Sequence, residues 1–154
     1  MLPKKDLLIL TELRTNSRET LTQISRHTGV PISTIFDKIK YYQGNLILKH
    51  TTLIDFSKLG FNARADIMVK VDRDVREKAK EFLTNHQNVN SVFKISNGFD
   101  FLVEGVFKNV KDVEDFIDSF GGKFKLEHVQ VYYIIEDIKK EAFMNDLQLL
   151  DMVV

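Results

Sequence analysis

Residues 21–42 read as two short helices joined by a tight turn: LTQISRH, then Thr28-Gly29, then PISTIFDKIKYY. Thr20 is placed to cap the first helix, and Leu21 with Ile24 supplies its buried side. In the second, Ile35, Ile39 and Tyr42 recur at i, i+4 and i+7, which makes one inward stripe. The opposite face carries Ser33, Thr34, Asp37, Lys40 and Tyr41, flanked by Phe36 and Lys38. This spacing predicts a helix-turn-helix, in which the first helix braces the second for entry into the major groove of double-stranded DNA.

The flanking segments fit that reading. A preceding helix is expected from about Pro3 to Leu13, with Pro in the first turn and Leu7, Leu10 and Leu13 as its stripe. Gly44-Asn45 can end the second helix of the pair, and residues 46–56 read as a short strand pair or wing before a connector at 57–62. Formal net charge is zero over 154 residues, but residues 1–50 carry eight Lys/Arg against four Asp/Glu, whereas residues 51–154 carry fourteen against eighteen. A basic DNA-facing module fused to an acidic one is the expectation. Ser33, Thr34 and Tyr41 would offer hydrogen bonds to bases or phosphates, Phe36 would touch a thymine methyl and Asp37 would accept from a cytosine amino group. Lys38 and Lys40, with Arg26 and Lys49, would neutralise phosphates.

The second half changes rhythm. Ala63, Ala65, Ile67, Val69 and Val71 alternate with polar residues, as a half-buried strand requires. Asp74 with Glu77 predicts a capping box, followed by a helix to about His86. Strands are expected at 89–96 and 100–107, separated by Asn97-Gly98. Asn109 with Asp112 caps a further helix that Gly121-Gly122 would stop, and residues 126–136 form the last strand. The order β-α-β-β-α-β predicts a ferredoxin-like sheet with both helices on one face, an α+β fold behind an N-terminal winged helix-turn-helix.

Ile67, Val69, Phe101, Val103, Val129, Val131, Tyr133 and Ile135 are then assigned to the helix side. Met68, Leu102, Val106, Tyr132 and Ile134 fall on a bare side, and a patch of that kind marks an interface. Two sheets packing face to face in a homodimer would cover it, unless the tail EAFMNDLQLLDMVV folds back over it. The resulting domains are 1–50, a wing and connector at 51–62, 63–140, and a C-terminal tail at 141–154.

Composition removes several classes. With 44% hydrophobic and 29% charged residues the chain is globular, and having no cysteine it has neither disulfides nor thiolate metal sites. His27, His50, His86 and His128 have no short metal-ligand spacing. Asp6 and Glu12 interrupt the apolar start, so no secretory signal is read, and no apolar run approaches the ~20 residues of a membrane span. A cytoplasmic protein with no membrane partner is expected. No nucleophile, acid–base pair or phosphate loop is apparent, so neither an enzyme nor a cofactor is expected.

A helix-turn-helix followed by βαββαβ resembles the Lrp/AsnC family of bacterial and archaeal transcription regulators. The matching residues are Asp6, Ile9, Leu10, Arg18, Ile24-Ser25, Gly29, Ser33-Thr34-Ile35, Lys38-Ile39 and the connector Leu59-Gly60-Phe61. In the sensing domain of that family, called RAM, a Gly-x-Tyr-Asp hairpin motif corresponds to Asn97-Gly98-Phe99-Asp100 here. The resemblance implies a dimer, or a tetramer or octamer built from dimers. It also implies a small effector such as an amino acid near Ser96, Asn97, Gly98, Phe99 and Asp100. Asp100 would hold an α-ammonium group or fix the turn. Architecturally similar haem-biosynthesis decarboxylases carry a His-Asn-Tyr segment where this chain reads Asn90-Ser91-Val92-Phe93. Two departures, Pro31 in place of the usual capping Ser and Asp37 on an Arg-poor helix, support an alternative. That alternative is an orphan sensor or oligomerisation partner with weak DNA binding.

Overall fold

Three helices, α1 (Lys4–Thr15), α2 (Leu21–Thr28) and α3 (Ile32–Tyr42), precede β1 (Ala63–Val71), α4 (Arg76–Asn85), β2 (Val89–Lys94), β3 (Phe101–Phe107), α5 (Val110–Lys123) and β4 (Leu126–Tyr133). The computed structural model describes residues 2–152; Met1, Val153 and Val154, at the ends of the expected first domain and tail, lie outside them. The chain divides into a helical unit, residues 1–53 with 138–154, and a sheet unit, residues 54–137. Residues 54–62, expected as part of the wing and connector, group with the sheet, and residues 138–152, which include the expected tail, group with the helices.

In the helical unit, Ile9, Ile24, Val30 and Ile35 form a buried core to which Leu13, Leu21 and Ile39 add partial cover. The stripe expected on α1 was Leu7, Leu10 and Leu13. Instead Asp6, Leu7, Ile9, Thr11 and Glu12 are the buried residues, since α1 is enclosed on more than one side. The wing is also corrected. Residues 48–55 contain no strand, and a single bridge joins Gln43 to Ile47. Leu48 is 85% exposed, so a hairpin there has no core to pack against, and an isolated two-stranded ribbon is marginal in water.

The sheet is antiparallel throughout, in the order β2-β3-β1-β4. Alternation along β1 and β3 buries Ala63, Ala65, Ile67, Val69, Val71, Phe101, Val103 and Phe107 against Ala79 and Leu83 of α4 and Val113, Phe116 and Phe120 of α5. Both helices thus lie on one face, as the βαββαβ order predicts. Asn109 caps α5, its Oδ1 accepting from Asp112 N at 3.0 Å. The Asp74–Glu77 box is not formed; Asp72 Oδ1 accepts from Asp74 N at 3.0 Å and caps a short turn, after which α4 begins at Arg76 without a side-chain cap. Nor does Gly121-Gly122 stop α5. Neither glycine has positive φ, and the helix runs to Lys123 with Phe124 N donating to Phe120 O. β2 ends at Lys94 and β4 at Tyr133, so Ile135, expected on the helix side, lies beyond the sheet and is 93% exposed.

Two expectations follow for the sheet unit. A Cβ on Gly105 would meet the buried ring of Phe107, so Gly105→Ala should lower stability in urea by about 1–3 kcal/mol. His86, edge-on to Phe116 and beside Phe82, is held below its ordinary pKa of 6.5, chiefly by burial and secondarily by Lys123. A group whose folded-state pKa is depressed binds fewer protons folded than unfolded below that ordinary value. Stability should therefore fall as pH drops through about 6.5, and His86→Phe should flatten that part of a thermal-melting pH series.

Candidate nucleic-acid interface

The turn between α2 and α3 is built from local hydrogen bonds. Thr20 Oγ1 accepts from Gln23 N at 3.2 Å and caps α2. Gly29, at φ +69°, closes that helix in the left-handed conformation, which costs a glycine nothing, while its N–H donates to Ser25 O. Pro31 begins α3 without a side-chain cap, and its carbonyl accepts from Ile35 N.

α1 then fixes both helices through two carboxylates. Asp6 is 2% exposed, and its Oδ2 accepts from Tyr42 Oη at 2.6 Å and from Lys38 Nζ at 3.0 Å, both on α3. The bond to Asp6 pushes the Tyr42 phenol up to about 12. Glu12 Oε2 lies 2.9 Å from His27 Nδ1 in the last turn of α2. Lys38, expected among the phosphate-binding residues, is therefore an internal partner of a buried acid. No such role for Asp6 or Glu12 is expected from the sequence; the visible sign is two carboxylates in the otherwise largely apolar DLLILTEL.

What α3 presents to solvent is the rest of the expected set. Ser33, Phe36, Asp37, Lys40 and Tyr41 are exposed and share one face by their i, i+3/4, i+7/8 spacing, with Thr34 at its margin. Tyr41 is 70% exposed and stands edge-on to Tyr42. Arg26 is exposed and donates to Gln23 Oε1 at 3.2 Å; Lys49 is exposed beyond α3. Among the described residues neither Lys40 nor Lys49 has an ion-pair partner within 4 Å. The face offers hydrogen-bonding groups, an apolar contact, one carboxylate and a few cations, which suits base edges framed by phosphates.

In the sheet unit, Met68, Leu102, Val106 and Ile134 are half-buried and Tyr132 is exposed, all on the side away from α4 and α5. Phe93, opposite Leu102 on β2, joins them and is exposed. It was missed because the end of β2 shows no clean alternation. Arg64 spans Glu104 and Asp137 on the same face, and the bond to Asp137 raises its pKa.

At the hairpin, Asn97 and Gly98 both have positive φ, and Ser96, Asn97 and Gly98 are exposed while Phe99 is half-buried. Asp100 Oδ2 accepts from Val71 N at 3.0 Å, and Oδ1 pairs with Arg76 at 2.9 Å. The Asp100 carboxylate thus ties the end of β1 to the start of α4. Among the described residues there is no cluster of three or more metal-ligating side chains, and no helix is long and apolar enough to cross a membrane.

Residues 64–143 match the family model for the Lrp/AsnC ligand binding domain. The HTH-type transcriptional regulator FL11 of Pyrococcus horikoshii is 26% identical over 88% of this chain and 90% of its own, and FL11 of Pyrococcus furiosus 27% over 89% and 91%. Among solved structures, a Neisseria meningitidis transcriptional regulator in complex with L-methionine superposes with a TM-score of 0.82 at 20% identity, covering 91% of this chain and 94% of that one. LrpC of Bacillus subtilis superposes at 0.81, with 19% identity and coverage of 91% and 99%.

The two lysines of α3 should separate by experiment. Lys38→Gln breaks a charge-assisted bond to a buried acid and should cost about 1.5–3 kcal/mol in denaturant unfolding, whereas Lys40→Gln should stay within about 0.5 kcal/mol.

Proposed function

The chain belongs to the Lrp/AsnC family, and on that footing we propose that it is a transcriptional regulator whose α3 reads double-stranded DNA. The observation that carries this is the exposed face of α3, held rigid from behind by Asp6 and free of internal partners at Lys40. Its named relatives are HTH-type transcriptional regulators.

Association through the bare sheet face is the second element of the proposal. Phe93, Leu102, Met68, Val106, Tyr132 and Ile134 form a mixed apolar patch of the kind that isologous dimers cover. The third element is an amino-acid effector near residues 96–100, supported by the L-methionine bound to the Neisseria regulator. Asp100 is already engaged by Val71 N and Arg76, so the exposed backbone of 96–98 is the part left to meet a ligand. A specific observation also favours the alternative of a sensor with weak DNA binding. Lys38 is consumed internally and Asp37 faces outward, which leaves Arg26, Lys40 and Lys49 as the cations beside the reading face.

A salt titration of DNA binding decides between them. Three phosphate contacts per protomer in a dimer give a log–log slope of about −5. A slope near zero, with no preference among DNA fragments, would establish the sensor reading instead. In sedimentation equilibrium the protein should be a dimer or larger at micromolar concentration, and Leu102→Asp should shift it to monomer. Calorimetric titration with a panel of amino acids including L-methionine should give saturable heat that Gly98→Val removes.

A further inference from the structure

α1 is apolar on more sides than the α2–α3 pair can use. Ile9 and Leu13 join the core with Ile24, Val30 and Ile35, yet Leu7 and Thr11 are buried as well. The second covering comes from the far end of the chain. Arg14 gives its whole guanidinium to residues 141–143: Nε donates to Phe143 O at 3.1 Å, one terminal nitrogen to Glu141 Oε2 at 3.1 Å and the other to Glu141 O at 3.0 Å. Thr15 Oγ1 donates to Asn145 O at 2.6 Å, and Lys4 Nζ to Asp151 Oδ1 at 2.7 Å. Between these anchors Leu150 is 2% exposed. Lys4 and Thr15 stand at i and i+11 on one helix face with the buried Thr11 between them, and Arg14 flanks that face at i+10.

We propose that residues 141–152 form a latch on the outer face of α1, that the latch completes the DNA-binding unit, and that DNA affinity depends on whether it is seated. Two features give it the character of a latch. Its hold is mostly polar and solvent-accessible, centred on Arg14 and Lys4, so it opens at lower cost than a core element. It also begins just after Asp137, the last residue of the sheet unit, where Arg64 pairs with that aspartate. The helix it grips is the one whose Asp6 positions Lys38 and Tyr42 of α3. Seating therefore acts on the reading helix through α1, and loss of seating reduces the fraction of molecules competent to bind. Only the DNA readout rests on the function proposed above.

The test compares the full chain, Arg14→Gln, and a chain ending at Lys140, using a fluorescently labelled synthetic peptide of residues 141–152 as probe. The peptide should bind the shortened chain saturably and fail to bind it when Arg14→Gln is also present. In Arg14→Gln, α1 amides should exchange about tenfold faster with β1 and β3 unchanged, and DNA affinity should fall about tenfold. Added peptide should restore DNA binding to the shortened chain. Absence of peptide binding together with unaltered α1 exchange in Arg14→Gln would overturn the latch. If the shortened chain does not fold, exchange in full-length Arg14→Gln decides. Should the unaltered chain bind no DNA, the function reading fails while peptide binding and exchange still judge the latch.

Discussion

A buried carboxylate, Asp6, is the group on which the DNA-binding unit depends. Placing a charge 2% exposed inside a small helical core is unfavourable unless it is paired and hydrogen-bonded. Lys38 and Tyr42 provide both, and they lie one turn apart on α3. The penalty for leaving Asp6 unpaired thus becomes a restraint on the rotation and height of α3 against α1. Glu12 and His27 apply a weaker restraint of the same type to α2. Hydrophobic contacts among Ile9, Ile24, Val30 and Ile35 supply cohesion but are non-directional. The polar pairs choose one arrangement among those the apolar core would tolerate.

The sheet unit is organised by alternation instead. Burial strictly every second residue along β1 and β3 fixes the register, since a slip of one residue would turn the whole set outward. The Asp100 carboxylate, immediately before β3, ties the end of β1 to the start of α4. On the opposite face apolar residues are interrupted by Arg64 and Glu104, so a partner copy would meet both an apolar patch and oriented charges. That mixture favours a defined mode of association over indiscriminate adhesion.

Features legible in the sequence were those whose cause is local. The helix stripe of Ile35, Ile39 and Tyr42, the caps at Thr20 and Asn109, the turn at Gly29 and the alternation of residues 63–71 each depend on neighbours a few positions away. The internal role of Lys38 was not legible because its partner is 32 residues distant; nothing near it distinguishes a lysine bonded to a buried acid from one facing solvent. The wing failed for a similar reason, because residues 46–56 have strand-like composition but no surface to lie on. Gly121-Gly122 carries a stop signal only if one glycine turns left-handed, and packing of Phe120 and Phe124 keeps the helix going. The seat of residues 141–152 on α1 joins opposite ends of the chain and left only an indirect trace, the apolar character of α1 on more than one side.

The central claim is that two copies of α3, each set by its own Asp6, read DNA together. Hydroxyl-radical footprinting on fragments selected from a random DNA pool tests it most directly. The account predicts two protected half-sites separated by one helical turn, about 10 base pairs, or a multiple of it, in a pseudo-palindromic sequence. Uniform protection without half-sites, or no selected sequence at all, would contradict it.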